Sequence, residues 1–432
     1  MCHGEHVMTT PTTFQVISLV VFLGAIVHTF FVSKIAHYAE RFPEGSIREN
    51  LFHFLAEIEA VFGIWSLIYF LTMIVDRGTQ ASIHYLNHLN FTEPLFVFVI
   101  MAISATKPVI QLSEMIILKM AKLIPLDEKM AIYIATMILG PLLGSLITEP
   151  AAMTVTAYIL LQFYFSQQMS PAFRYASIGL LFVNISIGGT LTHFAAPPVV
   201  MVASKWNWGL ETMFFHFGYK GAIACLINSL IVAYMFKKEL SGKLGEHLTQ
   251  KQFISIPNWM FVFHLLFLAL TIYTAHYPVL FIAIFLFFLG FVTVTKEYQS
   301  ELKIKESLMV GFFLAGLIVI GNPQSWWLQP IIEKLSNVTL FLGSTLLTAI
   351  TDNAALTYLG SLVNLSDDAK YYLLAGAVSG GGLTIIANAP NPVGYGILKS
   401  TFEDQTLSPW EIFKGSLIPT LIALICFYFL PH

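Results

Sequence analysis

Long hydrophobic runs separated by short polar segments fill almost the whole chain of 432 residues. The runs lie at about residues 13–33, 54–75, 94–106, 131–165, 173–203, 210–236, 258–275, 279–295, 307–321, 338–364, 371–398 and 411–430. A helix that crosses a bilayer needs about 20 mostly apolar residues, so this pattern is typical of a polytopic membrane protein. We predict an all-α fold with about ten transmembrane helices and two re-entrant hairpins.

Two of the runs have a polar centre, which favours a hairpin over a simple span. Residues 148–150 (Thr-Glu-Pro) interrupt the run at about 131–165, and residues 351–353 (Thr-Asp-Asn) interrupt the run at about 338–364. Each flanking arm is short for crossing the membrane alone. We therefore expect both segments to enter the membrane and return to the same side, with tips that lie inside protein or a water-filled cavity.

The two polar centres belong to an internal repeat. Leu146–Thr154 aligns with Ala349–Thr357 so that an acid matches an acid and a threonine matches a threonine on each side of it. Downstream of each centre, a Gly-rich segment followed by prolines predicts a broken helix, at about 173–203 and at about 371–398. Broken helices expose carbonyl groups and helix ends that can bind an ion at the membrane midplane.

The distribution of positive charge assigns sides to the loops. With the N-terminus outside, most of the 22 Lys and Arg residues fall in the cytoplasm, as the positive-inside rule requires, and both termini are predicted outside. The first hairpin then opens to the cytoplasm and the second to the outside. The chain therefore divides into a first repeat (1–236), a cytoplasmic linker (237–257) and a second, inverted repeat (258–432), an organisation typical of secondary transporters.

Composition supports a membrane protein and excludes several other classes. Hydrophobic residues make up 56% of the chain and charged residues only 11%, whereas soluble proteins carry about 25% charged residues. The net charge of −3 comes without a basic stripe, so nucleic acid is not an expected partner. We find no nucleophile elbow, zinc-protease motif or phosphate loop, so we predict a transporter rather than an enzyme, in the cytoplasmic membrane of a prokaryote.

Glu149 and Asp352, the acids of the two polar centres, are the main candidates for chemistry. A charged carboxylate at membrane depth costs about 2.5 to 3.5 kcal/mol, so its presence needs a reason. Each acid can bind a small cation when ionised or take up a proton instead, and competition between the two gives exchange. The alternative interpretation is that each acid only caps the helix that follows it.

Neutral oxygen-bearing side chains at the tips and breaks are predicted to complete the ion site. Such oxygens suit a hard cation, although the breaks can also be packing kinks without ligand duty. The predicted set is Thr148, Thr154, Thr192, Thr351, Asn353, Thr357, Thr384, Asn388 and Asn391.

Three further ionisable residues are candidates for tuning the site. Lys107 could pair with Glu149 or Glu57, or extend toward a lipid head group instead. Glu57 could belong to a proton path, or lie exposed at the membrane surface. His193 follows the first Gly-rich segment and could titrate near neutral pH, although a single histidine is more often structural.

The order of tip motif and broken helix in each half resembles the ion transporter superfamily, which contains arsenite, citrate and dicarboxylate carriers and sodium/proton antiporters. In length and content the chain is most similar to a sodium/proton antiporter family. The resemblance implies a scaffold domain, a mobile transport domain with elevator-like movement, and a homodimer. Dicarboxylate carriers of the superfamily have Ser-Asn-Thr at their tips, whereas acids at positions 149 and 352 favour a cation substrate.

Together these features predict a sodium (or lithium)/proton antiporter that needs no cofactor besides the transported ions and has the lipid bilayer as its partner. Na⁺ is expected at Asp352 and Glu149, with the Asp352 side favoured because the first broken helix lacks the asparagines of the second. One alternative is a cation-coupled carrier of a small anion or oxyanion, with Lys107 and His193 in an anion clamp. The other is a channel, which would not couple sodium to proton movement.

Overall fold

The computed structural model describes residues 12–244, 255–402 and 406–431. Within these ranges the chain consists of helices joined by turns and loops, and no β-strand is formed. The all-α class predicted from the hydrophobic pattern is confirmed. Cys2, His3 and His6, the cysteine and histidines at the start of the sequence, lie outside the described residues.

The helices follow one another closely along the chain. In order they are α1 (Thr13–Ala39), α2 (Ile47–Leu55), α3 (Ile58–Arg77), α4 (Thr79–Asn87), α5 (Thr92–Ser104), α6 (Lys107–Ala121), α7 (Glu128–Ile147), α8 (Glu149–Leu160), α9 (Pro171–Gly188), α10 (Pro197–Trp206), α11 (Leu210–Met235), α12 (Asn258–Tyr273), α13 (Pro278–Val294), α14 (Ile304–Gly321), α15 (Ser325–Ile332), α16 (Asn337–Thr348), α17 (Asn353–Ser361), α18 (Asp367–Gly380), α19 (Asn391–Leu398) and α20 (Pro409–Phe429).

Seven stretches of the described chain are long and apolar enough to cross a membrane: Thr13–Ala39, Ile58–Arg77, Glu128–Ile147, Pro171–Leu191, Leu210–Met235, Ile304–Ile332 and Pro409–Phe429. The bent pair α4 and α5 could form one more span, and α12, α13 and α16 are shorter apolar helices. The chain is therefore an integral, multi-pass membrane protein.

Helix α6 is the largest element that the hydrophobic pattern does not predict. It follows α5 after a two-residue break, and Lys107 and Pro108 occupy its first positions. Its sequence is not a continuous hydrophobic run, because three polar residues interrupt it: Gln111, Glu114 and Lys119. The first half of the chain therefore contains an additional broken helix, α5 to α6.

The first predicted hairpin folds back on itself at Thr148. A Cβ atom added to Gly140 would lie 2.2 Å from the Thr156 hydroxyl, and one added to Gly144 would lie 3.1 Å from the Ala152 Cβ. These contacts are symmetric about position 148, so α8 runs antiparallel to α7. At 20 residues α7 is longer than the short arm expected from the sequence, since it is long enough to span a membrane.

The described residues divide into two compact units. The first contains the segment up to Phe91 and residues Phe312–Ile332; its core includes the edge contact of Phe62 with Phe313, and the Tyr85 hydroxyl donates to the Val319 carbonyl at 2.7 Å. The second unit contains Thr92–Gly311 and the segment from Glu333 onward, and so holds both hairpins and both predicted broken helices. These two units do not coincide with the predicted inverted repeats, residues 1–236 and 258–432, and that division stays a prediction.

Candidate functional site

Two helices of the second unit are interrupted where the sequence predicts it. Helix α9 ends at Gly188, a short 3₁₀ turn follows at Gly189–Leu191, and α10 begins only at Pro197. Helix α18 ends at Gly380, and α19 begins at Asn391 after ten residues that are not in an α-helix. In each case a proline stands in the first turn of the second helix, where its missing N–H is not needed.

The second break packs directly onto the helix that leads into the first break. A Cβ atom on Gly382 would lie 2.3 Å from the backbone nitrogen of Val183, and one on Gly381 would lie 2.2 Å from the Ser186 hydroxyl. Only glycine allows two backbones to approach this closely. The Gly-Gly sequence of the second break is therefore explained by the crossing of the two broken helices.

Each hairpin packs against the broken helix of the other half of the chain. Helix α8 of the first hairpin contacts α19, and α17 of the second hairpin contacts α10. The Thr357 hydroxyl, in α17, donates to the carbonyl of Pro198 in α10 at 3.1 Å. The two halves are thus assembled crosswise, and any site at the breaks draws residues from both.

Glu149 lies between the two breaks, with Gly189 of the first and Asn388 of the second in contact with its carboxylate. Its side chain is fully buried, and the Asn388 amide donates to its Oε2 at 3.0 Å. The other oxygen, Oε1, has no hydrogen-bond partner among the described residues. A Cβ atom on Gly189 would lie 2.5 Å from Oε1, so the carboxylate rests against the bare backbone of the first break. The Asp352 carboxylate lies near enough for the two negative charges to interact.

Three asparagine carbonyl oxygens at the tip and break of the second half also have no hydrogen-bond donor within residues 12–244, 255–402 and 406–431. They are the Oδ1 atoms of Asn353, Asn388 and Asn391, all buried. The amide nitrogen of Asn391 donates to the carbonyls of Gly381 and Thr384, both at 2.8 Å, so its orientation leaves the oxygen as the unused acceptor. A buried acceptor without a donor costs about 1 to 3 kcal/mol, and most buried polar atoms avoid this.

The two tip acids differ in what they bind. One oxygen of Asp352 accepts hydrogen bonds from the backbone N–H groups of Ala354 and Ala355 at 2.7 and 3.2 Å, so this acid caps α17. Glu149 makes no such cap: Thr148 stands at that position of α8, and its hydroxyl pairs with the Ser104 hydroxyl at 3.0 Å. The helix-capping interpretation thus describes Asp352 and does not describe Glu149.

Two of the six predicted threonines connect a break to a hairpin. The Thr192 hydroxyl donates to the Ser145 carbonyl at 2.6 Å, and the Thr384 hydroxyl donates to the Ala349 carbonyl at 2.8 Å. The Thr154 hydroxyl instead donates to the Pro150 carbonyl of its own helix at 2.8 Å. Thr351 lies half-buried in the second tip, beside Asp352.

None of the three predicted tuning residues forms a hydrogen bond with Glu149 among the described residues. Lys107 is the half-buried first residue of α6 and forms no ion pair with Glu149. Glu57 precedes α3 in the first compact unit. His193 lies in the first break, where it lines a small cavity with Glu93 and other residues.

Two serines that the sequence analysis did not predict also contribute to the site. The Ser145 hydroxyl donates to the Gly188 carbonyl at 2.7 Å and accepts from the Leu191 N–H at 3.0 Å, so it holds the first break. The Ser186 hydroxyl donates to the Val378 carbonyl at 2.7 Å, next to the second break. The available signal is that each is a polar residue within an apolar run.

A multi-pass helical protein whose broken helices cross beside a buried carboxylate belongs to the class of secondary transporters. The chain matches, over residues 13–430, the model of a family described as "Putative Na+/H+ antiporter". It belongs to this family, which confirms the resemblance and assigns the protein to cation/proton antiport across a lipid bilayer. No match is found among curated proteins.

Proposed function

We propose that the protein exchanges Na⁺ or Li⁺ for protons, with Glu149 as the carboxylate for which cation and proton compete. The observation that carries this proposal is the fully buried Glu149 side chain: one oxygen accepts a hydrogen bond from Asn388, and the other has no hydrogen-bond partner in the described part of the chain. A buried charge is stable only when it is compensated. Either a bound monovalent cation or a proton on Glu149 neutralises its single negative charge. Binding both at once would leave an uncompensated positive charge in the buried site.

The neutral oxygens near the breaks favour a small hard cation as the substrate. Asn353, Asn388 and Asn391 each have a buried carbonyl oxygen without a donor, and amide oxygens are suitable ligands for such cations. Among the described residues no group of three His, Cys, Asp or Glu side chains is suited to a transition metal. One carboxylate with several amide oxygens instead suits a monovalent ion.

For the transport movement we propose an elevator-like mechanism in a homodimer of the prokaryotic cytoplasmic membrane, with both termini outside. The crosswise packing of both hairpins and both broken helices supports this proposal, because it allows the whole site to move as one body. Asp352 has a supporting role in this proposal: it adds negative charge near Glu149 while it caps α17.

An ion panel tests the exchange reaction. Purified protein is reconstituted in liposomes with an internal pH dye, and sodium, lithium, potassium and choline chloride are added in turn. We expect sodium or lithium to move protons and choline to leave the signal unchanged. If no monovalent cation moves protons while citrate, succinate or arsenite is taken up, the protein is instead an anion carrier. Sodium flux without proton movement would identify a channel.

Substitutions at Asp352 separate helix capping from charge. Asp352→Asn keeps a side-chain oxygen for the N–H groups of Ala354 and Ala355, so we expect normal thermal stability and only a few-fold weaker sodium dependence. Asp352→Ala also removes the cap, which typically lowers the free energy of unfolding by about 1 kcal/mol. Thermal melting in detergent and the dye assay measure the two effects. Complete loss of exchange in Asp352→Asn, with normal melting, would make Asp352 an essential titrating group and contradict its supporting role.

A further inference from the structure

A second buried carboxylate of the same compact unit faces a cavity that the proposed exchange at Glu149 does not use. The cavity has a volume of about 430 Å³ and lies between α6 and the helix that returns from the first hairpin tip. Its polar lining consists of Glu114 from α6, and Tyr158, Gln162 and Ser166 from the returning segment. Glu114 is only 8% exposed.

The cavity lies along the direction that leads away from Glu149. Helix α8 begins at Glu149, and Val155, the first residue of α8 that lines the cavity, lies about 9 Å further along the helix axis. Helix α6 begins close to the same tip, because the Ser104 hydroxyl before it pairs with the Thr148 hydroxyl at 3.0 Å. Glu114 is about 10 Å along α6 from its first residue. The cavity thus extends between two helices that both start beside the tip.

Ile110, Val155 and Leu161 also line the cavity, but the Glu114 carboxylate on its wall favours water over lipid inside it. A carboxylate that faces hydrocarbon carries a large energetic cost, and acidic residues within membrane-spanning regions face water-filled cavities or the protein interior. Gln162 and Ser166 present two more polar side chains on the same face of the returning segment. That segment continues as a π-helical turn at Leu161–Phe165, and such turns are frequent at functional sites.

We infer that this cavity is an aqueous entrance to Glu149 and that Glu114 holds the hydrated monovalent cation there before it reaches the exchange site. This inference rests on the proposed cation/proton exchange. The positive-inside rule predicts that the entrance opens to the cytoplasm, because Lys119 and Lys122 lie at the far end of α6. Glu114 is therefore a positioning residue on the ion path, distinct from the site at the breaks.

Thiol labelling tests the entrance without relying on transport. In a Cys2→Ser background, where Cys225 and Cys426 are buried, Gln162→Cys places a thiol in the cavity. We expect a membrane-impermeant maleimide to label it from one side of the membrane. Sodium should slow labelling several-fold relative to choline, and the additional change Glu114→Gln should remove this protection. Ile117→Cys, at a fully buried position one turn from Glu114, is the control that should stay unlabelled.

Transport measurements test the role of the charge. Glu114→Gln should raise the sodium concentration for half-maximal exchange about tenfold on the labelled side only, with the maximal rate nearly unchanged. Glu128 is an exposed carboxylate near the C-terminal end of α6, where Lys119 and Lys122 lie. The control variant Glu128→Gln should behave like the unsubstituted protein. Absence of labelling from either side, or labelling that sodium does not slow, overturns the inference even if exchange occurs. Sodium protection without exchange supports the entrance and contradicts the proposed function.

Discussion

Replacement of Glu149 by glutamine is expected to abolish sodium-driven proton movement. Glutamine has nearly the same shape and keeps an oxygen for the Asn388 amide, so the fold should persist while the negative charge is lost. A charge pair at 4 Å is worth about 4 kcal/mol at the effective dielectric of protein sites, which corresponds to roughly a thousandfold in cation affinity. The variant also lacks the carboxylate that would carry the proton, so both halves of the exchange should fail.

Two measurements check this expectation. The dye assay in liposomes measures exchange, and thermal melting measures sodium binding, because a ligand that binds only the folded state raises the melting temperature. Sodium should stabilise the unsubstituted protein and leave Glu149→Gln unchanged. Glu411→Gln removes a carboxylate at the start of α20 that pairs with Lys414, and serves as the matched control. If Glu149→Gln still exchanges sodium for protons with the original sodium dependence, Glu149 is not the shared carboxylate.

Gly382→Ala is expected to damage both stability and transport. The added methyl group would lie 2.3 Å from the nitrogen of Val183, and backbone atoms in a packed helix cannot move aside as a flexible side chain does. Overpacking of this kind costs about 1 to 3 kcal/mol, which corresponds to a decrease of several degrees in the melting temperature. Because the clash lies where the broken helices cross, beside Glu149, we also expect the exchange rate to fall.

Gly396→Ala is the matched control for this crossing. It adds the same methyl group in α19, where the added carbon would have no described atom within 4 Å apart from its chain neighbours and the backbone of its own helix, and alanine is the better helix former. It should leave melting and exchange unchanged or slightly improve melting. Equal behaviour of the two variants would contradict the close backbone contact between the breaks.

The class of protein and the location of the special segments could be predicted from the sequence because they depend on local pattern. Long apolar runs with 11% charged residues specify membrane helices, and polar centres and Gly-Pro sequences mark tips and breaks within a few residues. The order of tip motif and broken helix in each half, together with the length of the chain, indicated the antiporter family whose model matches residues 13–430. Helix α6 was not predicted, because polar residues alternate with its apolar ones and leave no continuous apolar run.

Which of the two tip acids is fully buried could not be obtained in this way. Both follow a threonine at aligned positions of the repeat, and the sequence favoured Asp352 because asparagines stand near it. In the structure the asparagine at position 388 bonds across to Glu149 in the other half of the chain. Asp352 instead uses an oxygen to cap its own helix.

The sequence by itself thus determined an all-α, multi-pass membrane transporter with acids at two polar centres. Only the tertiary structure decided which acid is fully buried, which half supplies its partner, and why Gly382 must lack a side chain. The physical reason is that hydropathy and helix-breaking act over a few neighbouring residues. Burial and hydrogen bonding at the site join groups such as Glu149 and Asn388, which are 239 positions apart and meet only when the two halves cross.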